Sequence, residues 1–278
     1  MRWLLAPLRA VLLVLHILLG LAIVTLVFPR VAQATRNRIN RWWSGVVVRL
    51  CGARVRVSGQ PLSAELAATG IEPDGRGRLM LSNHVSWIDI FAINAVLPCR
   101  FVAKAEIGRW PLLGSLVTRS GTLYIERTRR RAVAAMNHTV QSHLRAGESI
   151  VVFPEGTTTR GDRLLPFHSN LIAPAVEVAS PVWPVALRYR ERGAPSEAAA
   201  FVDEMSLVSS LFRVLSADRL EIEVAFLAPL DAAALANRHT IARAAHAALS
   251  AHFGFVEVPE RADADEGNGS ENGNGAQP

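Results

Sequence analysis

Asn83-His84-Val85-Ser86-Trp87-Ile88-Asp89 places a histidine five residues before an aspartate, just after the apolar run Leu79-Met80-Leu81. A neutral imidazole, with an ordinary pKa of about 6.5, can take a proton from a hydroxyl at physiological pH. A carboxylate beside it can fix its tautomer and stabilise the imidazolium that forms. Two readings of the heptamer stand: a general base with its orienting acid, or a capped helix start in which the spacing is coincidental.

Three further clusters follow in order. Gly121-Thr122-Leu123-Tyr124-Ile125-Glu126-Arg127 is a strand pattern ending in arginine. Phe153-Pro154-Glu155-Gly156-Thr157 follows the apolar strand Ile150-Val151-Val152, and Trp183-Pro184-Val185-Ala186 lies in a late strand. In this order the blocks strongly resemble the lysophospholipid acyltransferases of the 1-acylglycerol-3-phosphate acyltransferase family. That family carries N-H-x4-D, G-x-x-[FY]-I-x-R, F-P-E-G-T and a proline-containing apolar strand. The lysine segment after the first block is also present, as Phe101-Val102-Ala103-Lys104-Ala105-Glu106, and the resemblance spans residues 40–230.

The resemblance implies an O-acyltransferase. His84 would be the base on the free hydroxyl of a lysolipid, and Asp89 would orient it. The acyl donor would be the thioester of acyl-CoA or acyl carrier protein, as a substrate, with no cofactor and no covalent acyl-enzyme. Backbone N–H groups around Gly156 would serve the oxyanion, since glycine lets a backbone approach a ligand closely. Lys104 and Arg127 would bind a phosphate head group, Arg127 as a guanidinium fork. Glu155 would organise the lysolipid site or tie down its turn, and Thr157 belongs to the same block. The implied acceptor is 1-acylglycerol-3-phosphate and the product phosphatidic acid.

The match departs from the pattern after Thr157. Common members continue with arginine, where this chain has Thr158-Thr159-Arg160, and a usual lysine is His168. Arg160 could reach back to compensate, or the acceptor is another lysolipid such as lyso-ornithine lipid.

The elements that must position these residues alternate between short apolar strands and helical stretches. Strands are predicted over 54–58, 79–82, 100–103, 123–126, 149–153, 182–189 and 220–226, and helices over 87–96, 131–146, 171–179 and 237–253. This predicts an α/β domain with a central mixed sheet flanked by helices, over 53–258. The tail, 259–278, lacks apolar anchors and is expected to be disordered.

Residues 1–52 read differently. Ala10 to Phe28 has no formal charge, and as a helix it would be about 28 Å long against a hydrocarbon core of about 30 Å. A membrane anchor, a signal peptide cut near Ala32-Gln33-Ala34 and a buried helix compete. Length and the dense basic flank Arg30, Arg36, Arg38 and Arg41 favour the anchor, with the following domain on the cytoplasmic side of the inner membrane. Trp42-Trp43 among arginines suits a bilayer interface or a helix packed on the domain.

Net charge is +6, and no Asp or Glu precedes Glu65. The basic residues cluster around an apolar segment, which suits a membrane and argues against nucleic acid as a partner. Cys51 and Cys99 lack metal-ligand spacing, so no metal is expected, and a reducing compartment is the default. A silent lipid-binding protein remains the alternative from another class.

Overall fold

Met80 and its neighbours Leu79 and Leu81 are all fully buried, yet they enter different cores, because successive side chains of a strand leave opposite faces. Val151 joins Met80 on one face, while Ile150 and Val152 join Leu79 and Leu81 on the other. A sheet covered on both faces requires such continuous apolar strands.

The computed structural model describes residues 2–72, 75–125, 130–235 and 237–255. Helix α1 (Arg2–Ala22) runs on through a π turn (Ile23–Val27) and a 3-10 turn (Phe28–Arg30). Then come α2 (Gln33–Leu50), β1 (Ala53–Gly59), α3 (Ala64–Thr69), β2 (Arg78–Ser82), α4 (Asp89–Val96), β3 (Arg100–Lys104), α5 (Leu113–Arg119), β4 (Leu123–Ile125) and α6 (Arg130–Arg145). The chain continues with β5 (Ser149–Val152), α7 (Ala173–Glu177), β6 (Val182–Glu191), β7 (Ala194–Pro195), α8 (Leu207–Ser216), β8 (Leu220–Phe226), α9 (Ala232–Leu235) and α10 (Arg238–Phe253).

The strands form one mixed sheet in the order β1-β8-β6-β2-β5-β3-β4, with β7 paired to β6. Pairs β6–β2, β2–β5, β5–β3 and β3–β4 are parallel, and β8 runs antiparallel to β6. The C-terminal ends of β2, β3, β4 and β5 therefore lie along one edge, where open parallel sheets place their ligands. His84 and Asp89 follow β2 at that edge and Pro154 to Thr157 follow β5 there, whereas Trp183 to Ala186 lie inside β6.

One core takes Trp43 and Val47 of α2, Ile93 of α4 and Val214 of α8; the other takes Met136 and Leu144 of α6 with Ile241 and Ala245 of α10. Helix α1 packs into the first core through Ala6 and Leu13, so residues before 53 share a core with the sheet domain. A reciprocal pair of bonds pins α1 to α2: His16 Nε2 lies 3.1 Å from the Trp43 carbonyl, and Trp43 Nε1 donates to the His16 carbonyl at 3.1 Å. The other side of α1 and of the π turn that continues it, from Leu8 and Val11 to Leu18 and Leu26, is exposed. Leu5–Arg30 is long and apolar enough to cross a membrane.

The structure trims one predicted helix. The stretch 171–179 is a 3-10 turn (Ser169–Leu171) followed by the short α7, because Pro174 fits only the first turn of a helix and Ala179 has φ +51°. Periodicity does not predict helices α3, α5, α8 and α9. Glu126, Arg127 and the tail from 256 lie outside the described residues.

Candidate active site

His84 sits two residues beyond the end of β2, and the loop that carries it is fastened on both flanks. Asn83 extends the β2–β6 ladder with its side chain: Nδ2 donates to the Leu187 carbonyl at 3.0 Å, and Oδ1 accepts from the Leu187 N–H at 2.7 Å. The His84 N–H donates to Glu155 Oε1 at 2.9 Å, and the His84 carbonyl accepts from the Thr159 N–H at 2.8 Å. The loop then turns into α4, whose first residue is Asp89.

Asp89 is fully buried and completely bonded. Its Oδ2 lies 2.8 Å from His84 Nδ1 and accepts from the N–H groups of Val85 at 2.8 Å and Ser86 at 2.9 Å. Its Oδ1 accepts from the Tyr189 hydroxyl. Burial, reinforced by the Asp89 charge, holds the Tyr189 phenol well above its ordinary pKa, so it remains a donor. A carboxylate is acceptor-only, so Nδ1 must carry the proton and Nε2 the lone pair. The His84 ring stacks on Phe153, with centroids 3.9 Å apart and planes 14° apart, and its side chain is 20% exposed. The arrangement is a ring held in one orientation, with a basic nitrogen that solvent or a substrate hydroxyl can reach.

Glu155 bridges two backbones. Besides the His84 amide, it accepts the Leu165 N–H on Oε2 at 2.9 Å. Burial raises its pKa from 4.5 to about 7, partly offset by those two backbone bonds. A carboxyl that binds its proton more tightly when folded contributes most stability below pH 4.5, and that contribution declines as pH rises to about 7. The amplitude is about 3 kcal/mol at most. Glu155→Gln is expected to flatten this part of the pH dependence, as read from urea midpoints of the two proteins between pH 4.5 and 8. Parallel wild-type and variant curves would contradict it.

Gly156 closes a turn, with φ +74° and its N–H donating to the Phe153 carbonyl at 3.1 Å. Its own amide is thus committed, whereas the amide of the exposed Thr157 has no acceptor among the described residues. Lys104 is exposed at the end of β3, on the same edge of the sheet. Arg127, two residues beyond β4, lies outside the described residues. Thr158 donates its hydroxyl to the Phe201 carbonyl, and the Phe201 N–H donates to the Val85 carbonyl at 2.9 Å. Arg160 is paired with two carboxylates, Glu197 Oε2 at 3.1 Å and Asp203 Oδ2 at 3.2 Å. His168 is exposed, with its N–H bonded to the Pro154 carbonyl at 2.9 Å. Among the described residues no cluster of His, Cys, Asp and Glu suits a metal ion.

Sequence reasoning did not single out Tyr189, Asn83 as a ladder residue, or the 197–203 segment. Tyr189 follows Val185 and Leu187 at period two, so its face was readable, but the distance from Asp89 in sequence hid the contact.

Residues 54–188 match the family model described as Acyltransferase. The lyso-ornithine lipid O-acyltransferase of Pseudomonas aeruginosa is 37% identical over 217 residues, 77% of this chain and 78% of that protein. The 1-acyl-sn-glycerol-3-phosphate acyltransferase of Neisseria gonorrhoeae is 38% identical over 165 residues, 59% of this chain and 65% of that one. The fold resembles the crystal structure of the 1-acyl-sn-glycerophosphate acyltransferase PlsC from Thermotoga maritima, with a TM-score of 0.66 at 17% identity over 91% of this chain and 96% of that one. With its four blocks in the family's order and a relative 37% identical over three quarters of its length, the chain belongs to the lysophospholipid acyltransferase family.

Proposed function

We propose that His84 Nε2 takes the proton from the free hydroxyl of a membrane lysolipid while the hydroxyl oxygen attacks the thioester carbonyl of acyl-CoA or acyl carrier protein. The C–O bond forms, the C–S bond breaks, and the proton held on His84 passes to the departing thiolate. The carrying observation is the 2.8 Å contact between His84 Nδ1 and Asp89, which leaves Nε2 as the basic atom. Asp89 stabilises the imidazolium, and the Thr157 amide is the candidate oxyanion donor. The exposed apolar side of α1 supports attachment to a bilayer, and the basic flank after it supports the cytoplasmic face of the inner membrane.

Under this reading 1-acylglycerol-3-phosphate is the acceptor, giving phosphatidic acid, with Lys104 and Arg127 toward its phosphate. One observation favours lyso-ornithine lipid instead. Arg160 stands between Glu197 and Asp203, so the rim beside the base loop carries both signs of charge. An ornithine head carries both a carboxylate and an ammonium, and exposed ion pairs exchange partners at little cost. A panel of both acceptors with both acyl donors, run on the purified protein, decides between them. If the rim selects the ornithine head, Glu197→Gln/Asp203→Asn lowers kcat/KM for that acceptor by about tenfold and not for the phosphate acceptor. No transfer to any lysolipid would overturn the reaction itself.

A further inference from the structure

We propose that a second site, for a phosphate-class anion, lies at the sheet edge opposite His84. A cavity of about 220 Å³ opens between the start of α2, the end of α5 and the start of β3. Its lining includes Arg36, Arg100 and Arg119, with Phe28, Gln33 and Ser120, and holds no carboxylate. Arg100 begins β3 while His84 and Glu155 follow the other ends of the parallel strands β2 and β5, and the five residues of β3 separate the two edges by about 13 Å.

The charges there are unevenly matched. Arg100 is neutralised by Glu148, which also faces His143 at 3.1 Å, and donates to the Gly121 carbonyl at 3.1 Å. Arg36 uses its Nε on the Val31 carbonyl at 3.1 Å, and Arg119 is exposed; neither meets a carboxylate among the described residues. The positive end of the 18-residue helix α2 adds to them, since its N-cap, Ala32, has no side chain to occupy the first amides, and its first residue, Gln33, lines the cavity. Guanidinium groups and free amides around one void bind tetrahedral oxyanions.

Phe28 forms part of the cavity wall immediately after Leu26, which is 61% exposed, and Val27. The apolar side of α1 therefore runs up to the cavity, and a phospholipid head group at the bilayer surface is one source of the phosphate; free phosphate is the other. The site does not depend on the acyl-transfer reading, because its residues lie outside that machinery.

The test compares three full-length proteins: wild type, Arg36→Gln/Arg119→Gln, and Arg238→Gln/Arg243→Gln, which removes equal charge from α10 on the other face of the sheet. Each is measured for partitioning onto vesicles of zwitterionic phospholipid with and without an anionic phospholipid, and for the rise in melting temperature with inorganic phosphate. With a lipid source, the first variant loses about thirtyfold in partitioning onto anionic vesicles and the α10 variant keeps most of it. With free phosphate as the source, phosphate stabilises the wild type and the α10 variant but not the first variant, and vesicle binding is alike in all three. Acyl transfer in detergent micelles is expected to be unchanged and serves as the fold control; should the double variant misfold, Arg119→Gln alone carries the comparison, since Arg119 is exposed. Equal behaviour of the two double variants in both assays overturns the site.

Discussion

Alanine at position 84 is expected to lower kcat/KM for acyl transfer by about three orders of magnitude, within the range that a positioned general base supplies. That is about 4 kcal/mol of barrier. The loss is expected to be chemical rather than structural. The loop is held through the backbone of His84, by Glu155 on its N–H and Thr159 on its carbonyl, and both contacts survive the substitution. Asp89 loses one donor but keeps three, from Val85, Ser86 and Tyr189. The stability change is therefore confined to about 1–2 kcal/mol, from one charge-assisted bond and the stacking on Phe153. Circular dichroism and melting measured beside single-turnover transfer separate the two effects. A folded His84→Ala protein with full activity would falsify the base assignment.

How far this site could be read in advance depends on how local its contacts are. The five-residue spacing of His84 and Asp89 was visible because one short loop closes the pair. Strand β8 was placed residue for residue, because the continuous apolar alternation of Leu220–Phe226 is a local signal. Tyr189 was not, since it reaches Asp89 only after β6 has crossed back beside β2, and no window of sequence holds both. Helix α8 escaped for another reason. Its apolar residues do share one side, but the helix is only ten residues long, too short for periodicity alone to separate it from a buried loop or strand, and Val208 and Phe212 of that side stay exposed while Val214 and Leu215 face in. The resemblance points to backbone N–H groups around Gly156, and of these the structure commits the Gly156 amide itself to the turn, using the glycine's freedom for a positive φ. By its neighbourhood in sequence Arg160 could reach back to the head group. Its pairing with Glu197 and Asp203 arises from a segment some forty residues away, so the mixed charge of the rim exists only in the folded chain.

Asparagine at position 89 separates charge from geometry. In a His–Asp pair whose tautomer is fixed by the carboxylate alone, an amide can invert the arrangement and present a donor to the ring. Here the Val85 and Ser86 amides point at the same oxygen as the imidazole, so an asparagine oxygen is held in that place by two backbone donors. Its NH2 then faces the Tyr189 hydroxyl, which can turn to accept. The base keeps its orientation and loses only the negative charge that stabilises the imidazolium. Asp89→Asn is accordingly expected to fold normally and to lower kcat/KM by about a hundredfold, which is about 2.7 kcal/mol. Asp89→Ala differs in kind. It strands two backbone N–H groups, a phenol and the ring nitrogen in a fully buried site, at about 1–3 kcal/mol each before relaxation. That variant should be both inactive and strongly destabilised, whereas Tyr189→Phe, which removes one donor and leaves the carboxylate, should lose only a few-fold in kcat. Urea midpoints and kcat measured on the three variants test the ordering. An Asp89→Asn protein as unstable as Asp89→Ala would show that the backbone amides do not hold the acceptor in place, and the ring would then owe its orientation to the charge itself.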